Sequence, residues 1–322
     1  MEHRPLGATG FSVSRVFLGC GSIGGIGSPV STRGLGLTVD EGLEQIEAAV
    51  RLGVTVLDTA NAYAGGESER TVGRWLAARP DDEVDEVLVA TKVGNITEPG
   101  QSAMDLSGPH IARQARASLA RLGHIDLYLS HAPDQTTAIE ETLEAFAELV
   151  EAGSVKAIGA CNVSVAQLSD ALAASERLGL PRYEWVQNEY NLLARDDERA
   201  LLAVVGDHGL GYTPYSPLAG GVLAGRYRAG EPPPPGSRLA VSPQPGRTPD
   251  AATFAGLELM QEDARRRGVT MAGLALAWVL SSPHVTAPLV APRQPQQWEA
   301  VTEGLSLCLD PDERDRIGRW FL

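Results

Sequence analysis

Eight short, apolar, β-branched runs recur along the chain with helical patterns between them, and this alternation restricts the fold more than any other feature. The runs are VFLGC near Val16, VTVLD ending at Asp58, EVLVATK ending at Lys92 and IDLYLSH ending at His131. VKAIGA from Val155, EWVQN ending at Asn188, LGYTPY from Leu210 and TAPLVA from Thr286 complete the set. Between them lie segments with apolar residues at helical spacing: Glu41 to Leu52, Glu67 to Ala78, Ile111 to Leu122, Ile139 to Glu151 and Val165 to Leu178. Strands joined by helical crossovers pair in parallel, and eight such units suffice to close a barrel. The expected fold is α/β, a single (β/α)8 TIM barrel, and with no composition break resembling a linker, residues 1–322 read as one domain.

The composition is compatible with a large buried core, since 43% of residues are apolar and 21% charged. Lys and Arg total 27 against 41 Asp and Glu, a net charge of −14, so the long-range field repels nucleic acid and anionic lipid. A dinucleotide is not excluded by that sign, because it needs only one local patch of basic side chains and backbone N–H groups. Cys20, Cys161 and Cys308 are far apart and odd in number, which indicates neither a disulfide framework nor a zinc site, and no metal is expected. No signal-like leader and no run of membrane-spanning length is present, so the reading is a cytoplasmic protein without a membrane partner.

Two segments depart from the alternation. Arg226 to Pro249, with prolines from Pro232 to Pro235, can be neither helix nor inner strand in its Pro run and reads as one long loop after the seventh strand. Such a loop is equally a surface excursion or a cover over a cofactor. Gly19-Cys20-Gly21-Ser22-Ile23-Gly24 matches the GxGxxG dinucleotide fingerprint, with Asp40 suitably placed beyond it. That motif requires a helix to begin inside the glycine loop, whereas helical periodicity resumes here only at Asp40. The glycines are therefore expected in a first βα loop at the barrel mouth.

In a barrel the chemistry comes from the C-terminal ends of several strands. Three consecutive runs stop there on ionisable residues, Asp58, Lys92 and His131, and Tyr63 lies five residues past Asp58. A lysine ending an apolar run calls for a carboxylate, which Asp58 supplies from the neighbouring strand. Its charge is expected to lower the pKa of Tyr63, making the phenol a proton donor to a carbonyl oxygen that neutral His131 would orient. An alternative chemistry is a Schiff-base aldolase or isomerase acting through Lys92.

These same segments resemble the aldo-keto reductase superfamily over essentially the whole chain. RPLGATGFSVSRVFLGCGSIGG resembles that family's N-terminal β-hairpin and first strand, LDTANAYAGGESERTVGRWL its Asp–Tyr segment, ATKVG its lysine strand, and SLARLGHIDLYLSHAPD the segment ending in its histidine. The resemblance implies a barrel with that hairpin and extra C-terminal helices. It implies NADPH-linked (NADP+-linked in reverse) reduction of a small aldehyde, ketone or sugar-type carbonyl, with Tyr63 as general acid and Lys92, Asp58 and His131 in support. GACNVSVAQL resembles the family's nicotinamide-amide stretch, with Asn162 in place and Cys161 where serine is usual. Gln187 matches the glutamine completing that amide clamp, Tyr215 the stacking aromatic, and Ser216, Leu218 and Gly220 the pyrophosphate turn. In PLVAPRQPQQWEAV, Arg293 matches the 2′-phosphate ligand and Gln297 a polar adenosine contact, while Val301 stands where asparagine is usual. Some relatives are cofactor-binding regulatory subunits with slow turnover, the alternative this resemblance carries.

Overall fold

The computed structural model describes residues 1–97, 103–243 and 248–322. Two antiparallel strands, β1 (His3–Pro5) and β2 (Ser12–Ser14), open the chain as a hairpin. Eight parallel strands follow: β3 (Phe17–Gly19), β4 (Val56–Asp58), β5 (Leu88–Val93), β6 (Leu127–Ser130), β7 (Ala157–Cys161), β8 (Tyr183–Gln187), β9 (Gly211–Tyr212) and β10 (Leu289–Val290). Each falls on one of the eight runs, its boundaries within three residues of the run's. The strands lie in chain order from β3 to β9, with β10 beside β3. The ring is drawn shut beyond the regular ladder, where Thr286 N–H donates to Tyr212 O at 2.8 Å and Leu289 N–H donates to Pro214 O at 2.8 Å. The architecture is the (β/α)8 barrel.

The outer helices in chain order are α1 (Val39–Arg51), α2 (Glu67–Ala77), the single turn α3 (Asp81–Val84), α4 (Gly108–Leu122), α5 (Ile139–Glu151) and α6 (Val165–Leu178). They continue with α7 (Leu201–Asp207), the short α8 (Arg238–Val241), α9 (Ala251–Arg267), α10 (Met271–Leu280), α11 (Trp298–Ser306) and α12 (Pro311–Gly318). Their limits follow from local chemistry. Thr38 and Glu41 form a reciprocal capping box at the start of α1, Ser164 and Gln167 do the same for α6, and α6 stops at left-handed Gly179. One face of each crossover helix is apolar, as with Leu143 and Phe146 of α5, and this face covers the sheet.

The barrel lumen is filled, not hollow. Phe17, Val56, Leu127, Leu129, Trp185 and Leu289 pack there, with Leu6 and Val13 of the hairpin closing the N-terminal end. Gly159 makes this packing possible: a Cβ there would lie 2.6 Å from Trp185 Cε2. All polar traffic is thereby sent to the opposite, C-terminal end.

The two irregular segments are now resolved. No helix begins within Gly19–Gly24; the chain runs as loop, with one 3-10 turn at Val30–Thr32, until α1. The expectation of one unbroken loop from Arg226 to Pro249 needs correction, because Ser237 caps a helical turn at Arg238–Val241. Tyr227 OH donates to Gly220 O at 2.9 Å and accepts from Leu239 N–H at 3.3 Å, with Leu239 and Ser237 buried. Tyr227 and the turn at Leu239 are thus fastened against Gly220, while residues 228–233 between them are exposed; residues 244–247 lie outside the described residues.

Candidate active site

Asp58 ends β4, Lys92 is the penultimate residue of β5, and His131 directly follows β6, so three adjacent strands deliver the three groups to one mouth. Tyr63 arrives by a tight turn. Asn61 N–H bonds to Lys92 O at 3.2 Å and Tyr63 N–H to Ala60 O at 3.1 Å, while Ala64 and Gly65 adopt positive φ to reverse the chain into α2. The backbone tie between Asn61 and Lys92 puts the phenol over the lysine.

Lys92 and Asp58 are each 1% exposed and form a direct ion pair. Lys92 Nζ also donates to Thr59 O at 2.9 Å and reaches Tyr63 OH at 3.5 Å. The other oxygen of Asp58 accepts from Gln187 Nε2 at 2.9 Å. Burial opposes the charge on Lys92, yet Asp58, Tyr63 and Cys161 together outweigh it and hold the ammonium pKa well above its ordinary value. A permanently protonated lysine is a poor Schiff-base nucleophile, which removes the support for the aldolase alternative.

Tyr63 and His131 complete the group edge to face, ring centroids 5.5 Å apart. The expectation of a lowered pKa for Tyr63 is overturned: burial raises it by more than Lys92 lowers it, and Asp58 adds to the rise. The phenol therefore stays protonated, the form a proton donor requires. Burial, aided by Lys92, pushes the His131 pKa down to about 3, so the imidazole is neutral.

The residues expected around a cofactor surround this centre. Asn162 lies just past β7 in a left-handed conformation (φ 58°), donating from Nδ2 to His131 O at 2.8 Å and accepting from Tyr215 OH at 2.7 Å. Gln187 is 2% exposed and engaged at both ends, with Nε2 on Asp58 and Oε1 accepting from the Cys161 thiol at 3.6 Å. Ser216 (φ 54°) and Ala219 (φ 48°) are two more of the four non-glycine residues at positive φ among the described residues, and Gly220 follows at 66°. Such strained positions gather where a surface is shaped for a ligand. Leu218 is half-buried within the same turn.

Arg238 and Arg226 were not singled out in the sequence, yet their side chains lie against Gly220 and Gly221, 3.3 and 3.5 Å from where Cβ atoms would stand. In so acidic a chain these two arginines make the turn a local cationic patch suited to a pyrophosphate. Arg293 is half-buried, its N–H bound to Gln297 Oε1 at 2.6 Å, and Gln297 is exposed. Val301, by contrast, is 4% exposed on the inner side of α11 and belongs to the core. Taken together, the amide at Asn162, the ring of Tyr215 and the arginine-flanked turn fit a dinucleotide laid across the mouth.

Tyr63, Lys92, Asp58 and His131 thus share the C-terminal mouth of a parallel (β/α)8 barrel. The chain belongs to the Aldo/keto reductase family, whose model matches residues 24–319. It is 32% identical to the uncharacterized oxidoreductase YrpG of Bacillus subtilis, covering 97% of this chain and 93% of that one. It is 30% identical to the versiconal hemiacetal acetate reductase of Aspergillus parasiticus, over 97% and 95% of the two chains. A probable voltage-gated potassium channel subunit beta of Arabidopsis thaliana is 32% identical over 98% and 95%. Among the described residues no helix is long and apolar enough to cross a membrane.

Proposed function

We propose that this protein is an NADPH-dependent reductase of a small aldehyde, ketone or sugar-type carbonyl, with Tyr63 as proton donor. The observation that carries this reading is the Tyr63 hydroxyl 3.5 Å from a buried, carboxylate-paired Lys92, beside a neutral His131. The nicotinamide supplies the hydride when bound; Asn162, Tyr215, Ser216, Leu218 and Gly220 would hold its nicotinamide and pyrophosphate portions, and Arg293 and Gln297 its adenosine end. Gln187 and Cys161 would support the amide site from within the barrel. Arg293 is the residue suited to a 2′-phosphate, through a permanently charged planar fork.

The reaction is derived from the chain's own groups. Tyr63 transfers its proton to the carbonyl oxygen, and the phenolate left behind is stabilised by Lys92. Asp58 keeps that lysine charged in an apolar barrel, and His131 donates a hydrogen bond that orients the same oxygen. No metal is required by this scheme.

Tyr63→Phe tests it, since the phenyl ring keeps the packing and removes only the proton. Carbonyl reduction should fall by about 10²-fold or more, the scale of general-acid catalysis, while NADPH binding followed by tryptophan fluorescence stays within a factor of two or so. Near-wild-type turnover would remove Tyr63 from the mechanism. Similarity to a protein named as a channel beta subunit favours a second reading, a cofactor-binding regulatory subunit. Multiple turnovers of NADPH with a panel of small aldehydes distinguish the two, and a single turnover followed by arrest would favour the second.

A further inference from the structure

The glycine-rich loop after β3, which holds no cofactor helix, packs directly on the catalytic groups. A Cβ at Gly21 would stand 3.3 Å from Tyr63 Cε2 and 3.4 Å from Cζ, so this bare stretch of backbone packs against the phenol ring. Gly27 N–H donates to Gly21 O at 2.7 Å, and Ala64 N–H in the tyrosine turn donates to Gly27 O at 3.2 Å. The loop and the turn are one unit.

Ser28 extends that unit to the histidine. Asn95, three residues past Lys92, has its Nδ2 3.1 Å from Ser28 Oγ and 3.1 Å from His131 Nδ1. An amide nitrogen carries two hydrogens and accepts nothing. With one hydrogen on Ser28 Oγ, the other points at Nδ1, which must then offer a lone pair. A neutral imidazole has one ring proton, so it resides on Nε2, the nitrogen facing away from Asn95. If the amide were turned over, its oxygen would demand a proton on Nδ1 and Nε2 could only accept.

We propose that Asn95, oriented by Ser28 of the glycine-rich loop, is a positioning residue that fixes His131 as its Nε2–H tautomer, so that the ring presents a donor to the substrate's carbonyl oxygen. The last clause rests on the functional reading above; the tautomer does not. Among the described residues the groups facing the ring are Lys92 from β5, Tyr63 from the turn after β4 and Asn95 from the loop after β5, and of these only Lys92 is charged. Lys92 disfavours the imidazolium, so the neutral ring has to rely on its tautomer for a donor at the correct edge.

The test is 15N NMR of the histidine ring nitrogens in the full-length protein, with steady-state kinetics alongside. Wild type should show a bare Nδ1 and a protonated Nε2 from pH 5 to 8. Asn95→Asp, nearly isosteric and acceptor-only, should move the proton to Nδ1 and bring a second protonation of the ring into that range. Its kcat should fall roughly tenfold to a hundredfold, the scale of one hydrogen bond to a developing charge, with cofactor KM unchanged. Ser28→Ala should produce a mixture of tautomers and a smaller loss of kcat. Wild type with its proton on Nδ1, or Asn95→Asp with wild-type ring shifts, would overturn the assignment. The expected tautomer in a protein that reduces no carbonyl would uphold the positioning role and overturn only its purpose, isolating a failure of the functional reading.

Discussion

A fully buried ammonium group remains charged only because a carboxylate of equal burial touches it, and Lys92 and Asp58 meet that condition. The pairing sets the pH behaviour of the whole mouth. Lys92 and Tyr63 both titrate above their ordinary values, and His131 at about 3, so none of the three changes charge between pH 5 and 9. The kcat for carbonyl reduction is expected to be flat across that range, and a step near pH 6.5 would mean that His131 ionises freely. Stability has its own dependence. The folded His131 resists protonation relative to the unfolded chain, so its contribution is complete above the unfolded value of about 6.5 and is lost as pH falls towards 3, which urea midpoints at pH 7, 5 and 4 would record. All four catalytic candidates could be read from the sequence because strand ends are visible as interruptions of apolar runs. The direction of the Tyr63 shift could not, since it depends on how deeply the turn buries the phenol. Nor could Asn95 and Ser28, 67 residues apart and ordinary loop residues until folding joins them.

Strands buried on both faces are the easiest elements to recognise, and β3 to β10 all overlap the runs that announce them. What the runs conceal is how side chains share the lumen. Gly159 sits mid-strand in β7, where glycine ordinarily weakens a sheet, because the Trp185 indole from β8 occupies the volume a Cβ would need. Gly159→Ala tests this cleanly, since Gly159 is not at positive φ and only the steric clash is introduced. It should destabilise the protein by about 1–3 kcal/mol, the usual effect of overpacking, measured as a lowered urea midpoint at unchanged slope. An unaltered midpoint would show that the indole has room to move. The loop from Arg226 was legible only as an exception: its prolines forbid regular structure, but nothing in them reveals that Tyr227 and Leu239 fasten it to Gly220.

At the scale of the molecule the ring has seven laddered junctions, that of β7 with β8 shifting register between Ile158 and Ala160, and one without a ladder. Parallel ladders join β10 to β3 and every successive pair to β9. Between β9 and β10 there are the two backbone bonds from Thr286 and Leu289, and a buried arginine holds the segment that leads into β10. Arg15, 3% exposed at the end of the hairpin, donates to Val285 O at 2.9 Å, to Thr286 O and to Leu280 O at 2.7 Å. The count of strands predicted a barrel, but which junction would be weakest depends on where the last strand is shortest, and TAPLVA looks no weaker than its neighbours as a string of letters. A hoop with one clasp unfastens there first. Deuterium should therefore enter the Thr286 and Leu289 amides through partial openings that leave Leu129 and Gly159 untouched, and Arg15→Met should hasten the first pair alone. Simultaneous exchange of all four amides would mean that the hoop comes apart only as a whole.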